Sequence, residues 1–331
     1  MSVVYQGADG SIAQRTNTYA VANILYDAKP NIVIERWADQ ENLPKNVGKT
    51  MTHRRYHDLP DNMHPIERGV NPNPAKLSWT DISSTLRMFG TSADLDRENY
   101  DFHEDKLPMI TTKLIGESIA RIREKLGVSI TKGGSQVIRA NGSARTDINT
   151  LPSEEDFEIA VEALEGYDAE TISKIVTSTA AYGTESIQPS YISYFHTNLS
   201  STLRKLDSFI PYQDYTKMPI PGEIGTVLDK VKLISSNFAL PWYNAGASNL
   251  NGMRGVTATD VYPITIFAKH AWSVSKLAGV KAVNVNVVKP VASQADRHGL
   301  LGFVSSDFYY SGVITNDNYL TRIECCAPSR S

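Results

Sequence analysis

Cysteine is nearly absent from this chain. Its 331 residues include only two, Cys325 and Cys326, and these are adjacent. Neighbouring cysteines rarely pair with each other, so a disulfide framework and a CxxC metal site are both excluded within one chain. We interpret the pair as two small apolar residues near the end of a strand. The alternative is a disulfide between subunits, which a reducing cytoplasm disfavours.

Long apolar runs and strong net charge are also missing. No run of 18 apolar residues occurs, which predicts no membrane-spanning helix. The first residues lack the basic-then-apolar order of a signal peptide, so we expect the chain to stay where it is made. A net charge of −3 gives no basic footprint for general nucleic-acid binding. The 41% of hydrophobic and 21% of charged residues are typical of a folded protein of roughly two domains.

The most informative feature that is present is a ribbon from Val47 to Phe89 that has no apolar core of its own. Its arms, residues 50–57 and 76–89, favour strand through Thr, Ile, Trp and Tyr, and its tip contains four prolines. An isolated two-stranded hairpin is marginally stable in water. We therefore expect the ribbon to complete its burial on another subunit, which indicates an assembly protein.

Two helices are predicted. Apolar residues recur at helical spacing from Leu107 to Leu126, with Pro108 in the first turn and Gly127 as the C-terminal stop. A second helix starts at Ser153, because Ser153 together with Asp156 fits the capping-box pattern before an apolar run. Between Ser153 and Glu170 there are eight acidic residues and no basic one. We interpret them as a solvated face, and a cation site or a docking face for a basic neighbour is the alternative. The predicted buried stripe of this helix consists of Phe157, Ala160, Val161 and Leu164.

The remaining pattern mixes strands and helices unevenly, which predicts an α+β fold. An Asn- and Gly-rich stretch, 236–260, is predicted to be a surface loop. The segment after Gly299 fits a strand or a helix before a turn at 316–318. Strands are predicted at 136–139, 191–195, 230–234, 262–268, 282–288 and 319–326, and short helices at 170–181 and 199–206.

Motifs that carry chemistry are missing as well. The chain has no GxxxxGK[ST] loop, no GxGxxG fingerprint and no GxSxG elbow. His53 and His57 share one face of a predicted strand but would lie roughly 13 Å apart, too far for one metal ion. His298 precedes a glycine in a predicted turn and is interpreted as structural. We therefore expect no catalytic, cofactor or metal site.

One basic patch lies at the start of the ribbon and consists of Lys45, Lys49, Arg54 and Arg55, with Tyr56 interleaved. Our preferred interpretation is a salt bridge to a neighbouring subunit. Solvation alone and contact with nucleic-acid phosphates are the alternatives. The candidate intersubunit contacts of this region are Lys49, Arg54, Arg55, Tyr56, Arg68, Trp79 and Arg87.

Six segments of the chain together resemble one known family. They are 48–56, 67–72 and 84–90 of the ribbon, the block 209–225, and 296–302 with 319–324. The family they resemble is the major capsid proteins of tailed double-stranded DNA bacteriophages, in the branch typified by N-four-like phages. In two places this chain departs from that pattern. Arg297 and Leu300-Leu301 replace a proline and a glutamine-arginine-glycine ending, and 236–260 has no match.

The resemblance implies a Hong Kong 97-like fold. Its parts would be an N-terminal arm (1–46), an extended hairpin loop (47–90), a peripheral domain (91–149 and 286–331) with a spine helix at about 107–126, and an axial domain (150–285).

The resemblance also implies a structural, non-enzymatic protein. Copies would form hexamers and pentamers of an icosahedral shell that encloses double-stranded DNA without reading its sequence. Scaffold, cement and portal proteins would be further partners, and the shell would assemble in the bacterial cytoplasm and belong to the virion. An enzyme with an unrecognised site and a nucleic-acid-binding protein are the alternatives.

Overall fold

The computed structural model describes residues 33–60, 74–102, 107–172, 189–215, 219–278, 284–292, 294 and 296–329. Most of the expected N-terminal arm and the ribbon tip at 61–73, with Arg68, lie outside this range. The chain divides into two compact units: unit 1 includes 87–125 and 279–310, and unit 2 includes 33–86, 126–278 and 311–331. No helix in the described ranges is long and apolar enough to cross a membrane.

The described residues form fourteen strands and five α-helices. The strands are β1 (Asp39–Leu43), β2 (Thr50–Tyr56), β3 (Trp79–Thr85), β4 (Arg87–Asp96), β5 (Gln136–Arg139), β6 (Tyr191–His196), β7 (Phe209–Pro211), β8 (Glu223–Val227), β9 (Val231–Ser236), β10 (Val261–Phe267), β11 (Trp272–Leu277), β12 (Asn284–Val288), β13 (Leu301–Ile314) and β14 (Leu320–Cys326). The helices are α1 (Arg97–Phe102), α2 (Leu107–Thr131), α3 (Glu154–Glu165), α4 (Ser200–Leu203) and α5 (Tyr212–Tyr215).

Unit 2 is built on a seven-stranded mixed sheet in the order β5-β14-β10-β6-β9-β8-β7. Helix α3 covers one face, because its buried stripe packs with Ile323 and Cys325 of β14 in one core cluster. The stripe contains the four predicted residues, Phe157, Ala160, Val161 and Leu164. The sheet joins β5 and β14, expected in the peripheral domain, to strands expected in the axial domain. The predicted domain boundaries therefore cut through one hydrogen-bonded sheet.

The N-terminus of α3 has the predicted capping box. Ser153 Oγ accepts a hydrogen bond from the Asp156 N–H at 3.3 Å, and Asp156 Oδ2 accepts one from the Ser153 N–H at 2.8 Å. Both cysteines are free and buried in β14, where burial raises the pKa of each thiol. They are small apolar residues at a strand end, as predicted.

Unit 2 contains a second group of paired strands, which the sequence analysis did not predict. Strand β1 pairs in parallel with β11, and β11 pairs antiparallel with residues 311–314 of β13. Strand β11 is hard to recognise in the sequence because two of its six residues, Ser273 and Ser275, are polar and yet fully buried. A strand buried on both faces is expected to be a continuous apolar run, and the two serines interrupt that pattern.

Unit 1 contains a three-stranded antiparallel sheet in which residues 301–310 of β13 lie between β4 and β12. The ambiguous segment after Gly299 is therefore a strand. The pairing with β4 runs from Arg87 opposite Tyr310 to Asp96 opposite Leu301. The predicted ribbon arm 76–89 is consequently wrong at its end: β3 stops at Thr85, and from Arg87 the chain belongs to this sheet.

Two predicted helix ends were also wrong. Helix α2 continues past Gly127 to Thr131, because Val128 and Thr131 are buried and extend the packed face. A turn follows the helix, in which the Gly133 N–H donates to the carbonyl of Ile130 at 2.9 Å. The predicted helix 199–206 is reduced to α4 and a preceding 3₁₀ turn. Most of the predicted helix 170–181 lies outside the described residues.

Candidate intersubunit contact sites

The ribbon is a regular two-stranded hairpin within unit 2. Strands β2 and β3 pair antiparallel from Thr50 opposite Thr85 to Tyr56 opposite Trp79. One further bond, from the His57 N–H to the Ser78 carbonyl at 2.9 Å, extends the ladder towards the tip. Most side chains of both strands are exposed, which fits a ribbon without a core of its own.

The base of the ribbon is anchored by a buried histidine. His53 Nδ1 lies 3.0 Å from Glu41 Oε2 on β1, and its Nε2 lies 3.3 Å from Ser84 Oγ on β3. Ser275 Oγ of β11 donates to Met51 Sδ at 3.3 Å. His53 is therefore a structural anchor. Within the described ranges no group of three His, Cys, Asp or Glu side chains could hold a metal ion.

Further along the ribbon, Arg54 is paired within its own subunit. Its Nε and Nη2 donate to the two carboxylate oxygens of Asp81 at 2.7 and 3.0 Å. The hydrogen bonds from Arg54 lower the pKa of Asp81 and raise that of the guanidinium. The guanidinium carbon lies 5.0 Å from the centre of the Trp79 ring, and Tyr56 meets that ring edge-on at 6.4 Å. Trp79 and Tyr56 remain 50% and 56% exposed. An exposed aromatic–cation surface results.

The other ribbon candidates lie in different surroundings. Arg55 donates to the side-chain oxygen of Asn316. Lys49 is exposed, and its carbonyl accepts the Leu86 N–H at 2.8 Å. Arg87 begins β4 in unit 1 and so does not belong to the hairpin. The intersubunit role of all seven candidates stays a prediction.

A buried charged cluster on the other face of the unit 2 sheet was missed by the sequence analysis. Glu324 is fully buried and accepts two bonds from Arg145, at 2.6 and 3.0 Å, and one from Arg322 at 3.0 Å. The Trp242 ring lies 3.9 Å from the Arg145 guanidinium carbon and 4.2 Å from Lys132 Nζ. Lys132, Arg145 and Arg322 lie around the Trp242 ring, and Arg139 pairs in register with Glu324 across strands β5 and β14. We name these six residues the basic cluster: Lys132, Arg139, Arg145, Arg322, Trp242 and Glu324.

The electrostatics of the basic cluster show an excess of positive charge. Burial, and then repulsion by Arg145 and Arg322, lowers the pKa of Lys132 to about 8. Burial also lowers the pKa of Arg322, whereas the bonds to Glu324 raise that of Arg145. No local pattern could have revealed the cluster, because its members come from five separate segments of the chain.

A polar cavity of about 420 Å³ lies in unit 2. His196, Arg254, Asp260 and Tyr262 line it. His196 Nδ1 accepts the Asn198 N–H at 3.1 Å, and burial lowers the pKa of this histidine. These groups are held by backbone and amide contacts, and no serine, threonine or cysteine nucleophile is bonded to His196 in the described part of the chain.

Comparison with known proteins gives a consistent answer. No family model matches the chain. It is 20% identical over 379 aligned positions to the major capsid protein of Pseudomonas phage KPP21, covering 97% of this chain and 95% of that protein. Its structure is similar to the capsid of Ralstonia phage GP4, with a TM-score of 0.71, 13% identity and all of both chains covered.

Two further structures extend the likeness. The capsid of cyanophage Pam1 has a TM-score of 0.65 at 9% identity, with 98% of this chain and all of that chain covered. The head of Helicobacter pylori bacteriophage KHP40 has a TM-score of 0.61 at 12% identity, with 96% and 94% covered. The α+β prediction and the predicted resemblance are thereby confirmed. The chain has the Hong Kong 97-like fold of the major capsid proteins of tailed phages.

Proposed function

We propose that this chain is the structural major capsid protein of a tailed phage, in the N-four-like branch. Copies assemble as hexamers and pentamers into an icosahedral shell around double-stranded DNA. The observation that carries the proposal is similarity to a phage major capsid protein over 97% of the chain, combined with the capsid fold. Scaffold, cement and portal proteins are proposed partners, and assembly takes place in the bacterial cytoplasm.

The ribbon supports an assembly role. The side chains of Tyr56, Leu77 and Trp79 are each at least half exposed to solvent. Aromatic residues with a neighbouring arginine are typical of the energetically dominant residues at protein interfaces. Extended segments that reach a neighbour add contacts, so weak interactions combine into a stable shell. We also propose that the subunit in the shell has the four expected parts: an N-terminal arm, an extended hairpin loop, a peripheral domain and an axial domain. Strands β5 and β14 are then counted with the axial strands, because they belong to the same sheet.

Electron microscopy and light scattering test the proposal directly. The chain is expressed alone and together with its phage partners, and each preparation is examined over a range of protein concentration and salt. We expect closed particles or capsomer-sized rings. A chain that stays strictly monomeric under every condition would refute the capsid role. Strong, salt-dependent retention of free subunits on DNA would favour the nucleic-acid-binding alternative instead.

A further inference from the structure

The basic cluster carries more positive charge than its own subunit neutralises. Lys132, Arg145 and Arg322 face one carboxylate, Glu324, and Arg139 lies close enough to Arg322 to repel it. The Nε of Arg139 is buried and has no acceptor in the described part of the chain, and Lys132 donates to a neutral acceptor, the Leu240 carbonyl, at 2.7 Å. A buried donor without an acceptor costs free energy. The Arg145 side chain is 34% exposed, so the cluster is open to a partner.

The complementary surface lies on α3. Glu155, Glu158 and Glu162 follow one another at helical spacing on its exposed face, around Ile159, which is 44% exposed. We name these four residues the acidic ridge. Within the described ranges its glutamates form no ion pair, whereas Glu165 at the end of the same helix pairs with Lys230 at 2.5 Å. The ridge thus offers free carboxylates around an apolar centre.

The two surfaces occupy opposite faces of one sheet. Ile323 and Cys325 of β14 pack in the core cluster beneath α3. Arg322 and Glu324 alternate with them along the strand and so point to the other face. The ridge and the cluster therefore cannot meet within one unit 2. A contact between complementary patches on opposite faces is heterologous, and repeated contacts of this kind generate rings when the rotation closes.

We propose that the acidic ridge of one copy docks on the basic cluster of the next copy. The carboxylates of Glu158 and Glu162 pair with Lys132 and with the free guanidinium edge of Arg145, and Ile159 packs against the exposed part of Trp242. The inference rests on the proposed capsid function and deepens it, because it assigns a ring-forming contact to unit 2 that does not use the ribbon. The partner is a second copy of this chain, because the acidic ridge with Ile159 and the basic cluster with Trp242 are complementary in charge and each has an apolar centre.

Charge reversal and charge swap test the contact in the full-length chain. The ridge variant is Glu158→Lys with Glu162→Lys. Its matched control, Asp207→Lys with Asp214→Lys, makes the same change in net charge at exposed carboxylates outside the ridge. The swap variant adds Lys132→Glu to the ridge variant. Circular dichroism of unassembled protein checks folding, and light scattering gives the protein concentration at which particles appear.

We expect the ridge variant to need about tenfold more protein than the control to assemble, because like charges now face each other. The swap variant should recover most of that loss. A ridge variant that assembles like the control, or a swap variant no better than the ridge variant, would overturn the contact while leaving the capsid function intact. An unaltered chain that stays strictly monomeric, alone and together with its phage partners, refutes the capsid function itself.

Discussion

Two arginine–carboxylate pairs of unit 2 have the same two-bond geometry in different surroundings. In the ribbon, both partners of Arg54–Asp81 are exposed, at 48% and 39%. In the basic cluster, Arg145 is 34% exposed but Glu324 is fully buried. Solvent screens the first pair, whereas removal of Arg145 would leave a buried carboxylate with one remaining arginine. At the scale of single residues, burial of the carboxylate decides which pair matters for stability.

Replacement of Arg145 by methionine tests this difference. Arg145→Met keeps an aliphatic stem beside Trp242 but removes two hydrogen bonds to Glu324. We expect a loss of about 2 kcal/mol in the free energy of unfolding, below the usual cost of breaking a buried pair because Arg322 stays bonded. Urea unfolding of unassembled subunits measures it. Arg54→Met is the control and should shift the midpoint little; equal shifts in both variants would contradict the argument.

Lys132 makes unit 2 sensitive to alkaline pH. Its pKa is lowered to about 8 in the folded chain, against an unfolded value near 10.5. Between those two values the unfolded chain binds the additional proton, so this group adds stability as pH rises from about 8 to about 10. Below pH 8 both states are protonated, and its destabilising effect is constant.

The variant Lys132→Met removes this titration. We expect the melting temperature of Lys132→Met relative to the unaltered chain to be highest at pH 7 and to fall as pH rises towards 10. Scanning fluorimetry of unassembled protein at pH 7, 8, 9 and 10 measures the difference. A constant difference over this range would show that the lysine is not perturbed in the folded chain.

At the scale of elements, α3 is the helix whose local sequence and tertiary surroundings agree best. The capping box starts it, the acidic first turn favours its N-terminus, and the apolar stripe packs on β14. Helix α2 differs, because its end is set by packing beyond Gly127. The start of strand β4 is also set by tertiary structure and not by local sequence, because from Arg87 onwards its residues pair with β13 and no longer belong to the ribbon.

Removal of the α3 cap should therefore weaken unit 2. Ser153→Ala loses the acceptor for the Asp156 N–H, and we expect it to cost about 1 kcal/mol in the free energy of unfolding. Urea unfolding followed by circular dichroism measures the change. Ser129→Ala, which removes an exposed hydroxyl that bonds to Leu126 inside α2, is the matched control. A cap variant as stable as the control would show that α3 is held by packing alone.

At the scale of the whole molecule, we expect the ribbon to contribute to assembly without being needed for folding of its own subunit. The last backbone pair described in the ribbon joins His57 to Ser78, and the base of the ribbon is anchored through His53 to β1. Within the described residues, the ribbon is held in its own subunit through His53 at the base and through the hydrogen bond from Arg55 to Asn316 further along. Tyr56 and Trp79, close to that last described pair, are about half exposed and are available to neighbours.

Deletion of residues 59–75 tests this expectation. The deletion leaves Asp58, Lys76 and Leu77 between His57 and Ser78, a three-residue connection of a length common in hairpins. We expect the subunit to fold with an unchanged circular dichroism spectrum and to lose shell formation in electron micrographs. A Gly/Ser segment of equal length in place of 59–75 distinguishes the loss of specific side chains from shortening. Unimpaired assembly of the deletion would refute the assembly role of the tip.

The sequence by itself determined the features that depend on neighbours along the chain. The α3 cap, the strand pattern of the ribbon, the buried cysteine pair and the family motifs all follow from short-range chemistry. Tertiary structure decided where Gly127 lies within α2, where the ribbon ends, and that the serine-rich β11 is a buried strand. It also assembled the basic cluster from residues nearly two hundred positions apart, such as Arg145 and Glu324. Such contacts exist only when the sheet has formed, because strand pairing and burial set them and no local pattern encodes them.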